Sequence, residues 1–181
     1  MTYVALLRGI NVGAGRAVPM ADLRALCEGL GWTKVRTYIQ SGNLVFDQGG
    51  SDGDEAALGL SLETALASRY SFAIPVLVRS GPRWRELTAD RPFGGWSDAK
   101  QLSVSLLDRV PSATAWQTLA PWRDGDDAIE LIGDRVWVKS ATAGYGKTKF
   151  HNTWLEKKLG LRATTRNRAS VEALMGMLTS D

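Results

Sequence analysis

The element order legible in the chain predicts an α+β protein: two tandem ferredoxin-like β-α-β-β-α-β units with antiparallel sheets. Three observations predict it. Short apolar runs and helical spacings follow one another as strand, helix, hairpin, helix, strand, and the plan occurs twice. Each half carries one tight-turn dipeptide, Ser41-Gly42 and Gly133-Asp134, between two strand-like runs. A turn-rich stretch from Pro92 to Asp98 separates the halves, so the expected units are 1–91 and 92–181, the second with an extra C-terminal helix.

Tyr3 to Leu7 reads as a buried strand that runs into a glycine-rich loop, Gly9 to Val18. Pro19 suits the first turn of a helix, where its missing N–H is no loss. Met20, Leu23, Leu26, Cys27 and Leu30 recur at helical spacing, and Gly31 stops the run. Val35 to Gln40 and Leu44 to Phe46 form the first hairpin, followed by a loop from Gly49 to Asp54. Leu58, Leu62, Ala65 and Leu66 mark the second helix. Ile74 to Val78 is the fourth strand, with Pro75 placing it at an edge. In the second half a short helix surrounds Trp84 to Leu87, Leu102 to Leu107 is a strand, and Ser112 opens a helix reaching Trp122. Ile129 to Ile132 and Arg135 to Lys139 form the second hairpin. A helix is expected from Thr148, its N-cap, to Leu159, then a strand from Arg162 to Thr165 and a last helix capped by Ser170.

The 181 residues suffice for one large or two small domains, on a prior of roughly 100–200 residues each. Hydrophobic residues are 44% and charged residues 23%, the balance of a packed core. The single cysteine, Cys27, and single histidine, His151, rule out a disulfide framework and any Cys/His metal cluster, so no metal and no cofactor is expected. Arg8 interrupts the first apolar run, and no run approaches the roughly 18 residues of a membrane span. A soluble cytoplasmic protein with no membrane partner is expected. Between Arg135 and Arg168 nine Lys/Arg face the one acid Glu156, whereas Asp90 to Asp134 holds eight acids and four bases. This makes a positive segment suited to anions, or simply a solvated basic face.

The segments Leu6-Leu7-Arg8-Gly9-Ile10-Asn11-Val12-Gly13, Val18-Pro19-Met20 and Tyr38-Ile39-Gln40-Ser41-Gly42-Asn43 resemble a bacterial family catalogued as domain of unknown function 1697. The resemblance continues through Gly144-Tyr145-Gly146-Lys147-Thr148-Lys149 and Ala163-Thr164-Thr165-Arg166-Asn167. It implies tandem ferredoxin-like domains and no established activity. One departure is visible: such proteins often place an aromatic residue and an asparagine after the Arg-Asn pair, where this chain has Arg168-Ala169-Ser170.

Two loop ends are candidate sites. In the first unit the loop after the first strand and the turn after the second share one end of the sheet. That topology brings Arg8, Asn11, Gly13 and Arg16 towards Gln40, Ser41 and Asn43, a polar cradle for an anion or a sugar. Turn chemistry alone also accounts for these residue types. In the second unit Lys147 and Lys149 are expected beside Arg166 and Arg168, where a phosphate-bearing ligand or a nucleic acid backbone would bind. Gly146-Lys147-Thr148 is not a P-loop, because Ala141 stands where that motif needs glycine. Three functions stay open: binding of a phosphate-bearing ligand or nucleic acid at the basic end, small-molecule catalysis at the Arg8 end, and protein–protein interaction. The strand patterns are apolar on both faces, so the other half or a second copy in a homo-oligomer is expected to cover them.

Overall fold

A computed structural model describes residues 1–13, 15–49, 53–95, 98, 100–123, 125–141 and 148–180. The chain divides into two compact units, Met1–Glu86 with Ala173–Asp181, and Leu87–Glu172. Each contains a four-stranded antiparallel sheet.

In the first unit the elements run β1 (Thr2–Leu7), α1 (Met20–Gly29), β2 (Thr33–Tyr38), β3 (Asn43–Asp47), α2 (Glu55–Ala67) and β4 (Val76–Ser80), with α3 (Gly81–Ala89) following directly. The sheet order is β2-β3-β1-β4. Pro75 therefore does lie beside an edge strand, where its missing N–H breaks no ladder. Strand alternation sends Tyr3, Ala5, Leu7, Leu44, Phe46, Val76 and Val78 to one core, which α1 and α2 complete with Leu23, Cys27, Leu62 and Leu66. Trp32 stacks on Phe46 at 3.9 Å between ring centroids. Val4, Leu6 and Val45, on the other face, are fully buried as well. Both faces are thus covered within a single chain. Asp54 caps α2 by accepting from Ala56 N. Arg36 of β2 donates to Met177 O at 2.6 Å and Ser180 O at 3.2 Å, satisfying carbonyls at the end of the last helix.

In the second unit a single turn, α4 (Pro92–Gly95), precedes β5 (Leu102–Leu107), α5 (Ala113–Leu119), β6 (Ala128–Ile132), β7 (Arg135–Lys139), α6 (Asn152–Leu159) and β8 (Ala163–Asn167); α7 (Arg168–Thr179) begins there and belongs to the first unit from Ala173 on. The sheet order is β6-β7-β5-β8. Leu107, Val136, Val138 and Ala163 pack with Phe150, Leu155 and Leu159. Ser112 caps α5 as expected, accepting from Ala115 N.

β2 runs two residues ahead of the expected Val35 to Gln40, α5 ends at Leu119 rather than Trp122, and three boundaries around the last helices differ as well. Thr148 does not open α6. Its hydroxyl accepts from Phe150 N, a local turn that competes with helix, and His151 Nδ1 instead accepts from Trp154 N to form the cap. β8 runs to Asn167, because Arg166 and Asn167 still pair with Val104 and Ser103. Asn167, not Ser170, serves as the cap of α7: its Oδ1 accepts from Ser170 N at 2.8 Å. Among the described residues no helix is long and apolar enough to cross a membrane.

Candidate functional site

The first-unit residues meet at one end of their sheet. Leu7 N donates to Gly42 O and Arg8 N to Pro75 O, which ties the end of β1 to the β2–β3 turn and to the start of β4. Asn11 closes the loop. Its Nδ2 donates to Val18 O at 3.0 Å and Gln40 O at 2.7 Å, while its Oδ1 accepts from Val18 N at 2.8 Å. The residue holds a left-handed backbone, φ 54°, as does Ile39 at φ 49°. An isoleucine there is strained, and such strain persists only where neighbours over-determine the backbone. Gly42 has the same sign of φ, and a Cβ on it would stand 2.7 Å from Leu7 Cβ. Asn43 is fully buried and donates to Tyr38 O and Ser41 Oγ. Asn11 and Asn43 therefore spend their amides on the turn itself. Gly13, Gln40 and Ser41 lie exposed beside them.

Arg16 is held differently. Its Nε donates to Gly9 O at 2.5 Å, its Nη2 donates to Ala73 O at 2.7 Å, and its guanidinium stands 4.7 Å over the Phe72 ring. Nη1 has no hydrogen-bond partner among the described residues. Arg8, Gly9, Arg16, Ala73 and Pro75 line an open cavity of about 380 Å³. Two of these five lining residues are arginines. A guanidinium fixed before binding loses less freedom when an oxyanion docks. Ala73 and Pro75 went unnoticed in the sequence. The pairing of β4 with β1 was the signal that could have found them, since it sets the segment before β4 beside the residue after β1.

The basic residues of the second unit are spread over different surroundings. Lys147 lies outside the described residues. Lys149 is exposed ahead of α6. Thr165 contacts Asn152 at the start of α6 through its hydroxyl, so strand alternation turns the next residue, Arg166, to the opposite face of the sheet. Arg166 is half-buried and donates to Thr165 O, and burial pushes its guanidinium down to about 10, still cationic at neutral pH. Arg168 Nε donates to Glu172 Oε1 at 2.8 Å, and its guanidinium stands 5.6 Å over Trp137. Glu172 pairs with it one helical turn on, a spacing the sequence shows, whereas Asp90 and Trp137 come from distant parts of the chain and left no local signal.

Burial pushes the Cys27 thiol up to about 12, which leaves it an inert core residue. Among the described residues no three His, Cys, Asp or Glu side chains come together to hold a metal ion.

A sheet-based α+β fold with two arginines in a cleft at a loop end is a frame on which many unrelated activities occur. A family model described as protein of unknown function (DUF1697) matches residues 1–137, and the chain belongs to that family. The solved structure of the conserved bacterial protein SP0830 from Streptococcus pneumoniae is similar at a TM-score of 0.76 and 27% identity. The match covers 99% of this chain and 98% of that one. No functionally curated protein matches.

Proposed function

We propose that the protein binds a small molecule bearing a phosphate or carboxylate group, held in the Arg8–Arg16 cleft. The observation that carries this reading is Arg16: two carbonyls and an aromatic ring fix its guanidinium, while Nη1 remains for a ligand. Arg8 adds a second cation to the same cavity, and Gln40 and Ser41 are exposed at that end of the sheet. We further read each unit as a ferredoxin-like fold. The element order and the strand orders β2-β3-β1-β4 and β6-β7-β5-β8 support this. A single buried cysteine suits a reducing cytoplasm, and burial of both sheet faces within one chain removes the argument for a homo-oligomer.

Calorimetric titration with inorganic phosphate, pyrophosphate, ATP and citrate tests the reading. At least one is expected to bind, and Arg16→Ala should weaken it by about tenfold to a hundredfold, the worth of one charged hydrogen-bonding group. Lys149→Ala is expected to leave it unchanged. Absence of binding at millimolar concentration, or an Arg16→Ala protein that binds as the parent does, overturns the cleft. Loss on Lys149→Ala instead would move the site to the basic end of the second unit.

A further inference from the structure

Within each unit the fourth strand runs straight into a helix, and the two junctions superpose residue for residue on the sheet register. Val4 of β1 pairs with Arg79 of β4, and Val104 of β5 pairs with Arg166 of β8. Both arginines donate Nη1 to the preceding carbonyl, Val78 O and Thr165 O, each at 2.8 Å. Counting on from them, Gly81 corresponds to Arg168, Arg85 to Glu172, and Thr2 to Leu102. These same positions line a recess in each unit. In the first it measures about 150 Å³, bounded by Thr2, Gly81, Arg85 and Leu178. In the second it measures about 260 Å³, bounded by Leu102, Arg168 and Glu172 together with Thr88, Asp90 and Arg91.

The fold makes the recess twice, and the second copy holds a buried network of carboxylate, indole and guanidinium. Asp90 Oδ2 accepts from Trp137 Nε1 at 2.8 Å and lies 3.0 Å from Arg135 Nε, with the Asp90 side chain 8% exposed. This network braces Trp137, and the Arg168 guanidinium stands over its ring. Arg168 is 18% exposed and spends only its Nε, on Glu172; neither Nη has a hydrogen-bond partner among the described residues. A braced guanidinium that keeps its two terminal nitrogens for a cavity is the arrangement that receives a carboxylate in a two-pronged contact.

We infer that this recess is a binding site for a small zwitterion of the α-amino acid class, its carboxylate on Arg168 Nη1 and Nη2 and its ammonium on Glu172. Charge decides the class. The lining holds Arg91 and Arg168 against Asp90 and Glu172, which sums to neutrality, so a phosphate dianion would leave two uncompensated charges in a half-buried recess. A zwitterion leaves none. Glu172, more than half exposed at 56%, stands where the ammonium end can stay partly hydrated. The site is separate from the Arg8–Arg16 cleft and does not depend on it.

The test is calorimetric titration of the full chain with each of the twenty free amino acids, and with propionate, ethylamine and inorganic phosphate as probes of one charge at a time. At least one amino acid is expected to bind at millimolar concentration or better and, in the Arg16→Ala protein, where the other cleft has lost its guanidinium, more tightly than any of the three probes. Arg168→Lys keeps the charge and removes the fork, and should weaken binding by about tenfold. Glu172→Gln, at an exposed position that tolerates change, should erase the preference for the amino acid over propionate. Arg16→Ala should alter neither. Binding of phosphate in preference to every amino acid by the Arg16→Ala protein, retention of full affinity in Arg168→Lys, or an unchanged preference in Glu172→Gln overturns the inference. So does failure of every amino acid to bind while the folded protein's thermal transition is intact.

Discussion

The two units share a backbone frame and differ in where they keep charge. After the first strand of each, the same two bonds recur: Leu7 N to Gly42 O and Arg8 N to Pro75 O in one, Leu107 N to Asp134 O and Asp108 N to Arg162 O in the other. At that shared position the first unit has Arg8, beside Arg16. The second has Asp108, whose Oδ1 accepts from Arg162 N and whose Oδ2 lies 3.3 Å from Arg109. The first end presents two arginines to one cavity; at the second an aspartate stands beside Arg109. At the recess beside the fourth strand, Gly81 stands in the first unit where the second has Arg168, and Arg85 stands where the second has Glu172. A repeated frame therefore shows which features the fold alone requires. What differs between its copies is where function is to be sought.

The hairpin turns give the largest expected contrast. Gly42 lies at φ 75°, and a methyl group there would press on Leu7 Cβ and on Ile10 Cδ1 at 2.8 Å, both buried. Gly133, at φ 62° in the second hairpin, would meet only Arg135 Nη2 at 3.6 Å, an ordinary contact. Gly42→Ala combines left-handed strain with overpacking and should cost about 3 kcal/mol. Gly133→Ala carries the strain alone, about 1 kcal/mol. Urea unfolding of the two variants measures both. Equal losses would mean that the first turn relaxes freely, and the tight closure of the Arg8 end would fail as an explanation of its shape.

The loops that follow the first strands sharpen the same comparison on a smaller scale. Asn11 ties its loop with three hydrogen bonds, whereas the second unit uses the single cap of Ser112 on Ala115 N. Asn11→Ala should destabilise by about 2 kcal/mol and Ser112→Ala by about 1 kcal/mol. Asn11→Ala should also weaken anion binding at the Arg8 end, since the loop that ends at Arg16 loses its tie; Ser112→Ala should leave it intact. Identical effects on stability, or unaltered binding in Asn11→Ala, would show that the loop holds its form without Asn11.

Much of this frame was legible in the residues. β5, the cap at Ser112, both hairpins and the approach of Asn11 to Gln40 follow from period-two alternation, turn dipeptides and strand direction, all of them local. The boundaries of α6 and α7 were not, because Thr148 and Asn167 direct their side chains to nearby backbone N–H groups, a choice that propensity does not encode. Nor was the fate of Arg166, which depends on whether β8 ends before or after it. The cluster around Arg168 was illegible for a stronger reason. Asp90, Arg135 with Trp137 on β7, and Arg168 with Glu172 on one turn of α7 belong to distant segments of the chain, and only the completed fold brings them to one place.

The smallest expected effect concerns that cluster and pH. Burial lifts the Asp90 carboxyl above the ordinary carboxylate range, against the lowering effects of Trp137, Arg135 and Arg168, with Asp134 adding to the rise. The folded protein then holds a proton that the unfolded chain has released. Its contribution to stability is complete below the unfolded carboxylate value and is lost as pH climbs through the folded one. Asp90→Asn keeps an oxygen for Trp137 Nε1 and removes the titration. The stability of the parent relative to this variant should therefore decline as pH rises through the acid range and then level. In the first unit Met177, as many residues past the end of β8 as Asp90 is past the end of β4, offers its backbone carbonyl to Arg36. Parallel curves for parent and variant would mean that Asp90 titrates alike in both states. A relative stability that increases with pH would mean that the ion pair with Arg135 outweighs desolvation. In that case the recess would hold a fixed anion, and its neutral balance would be set by Asp90 at every pH.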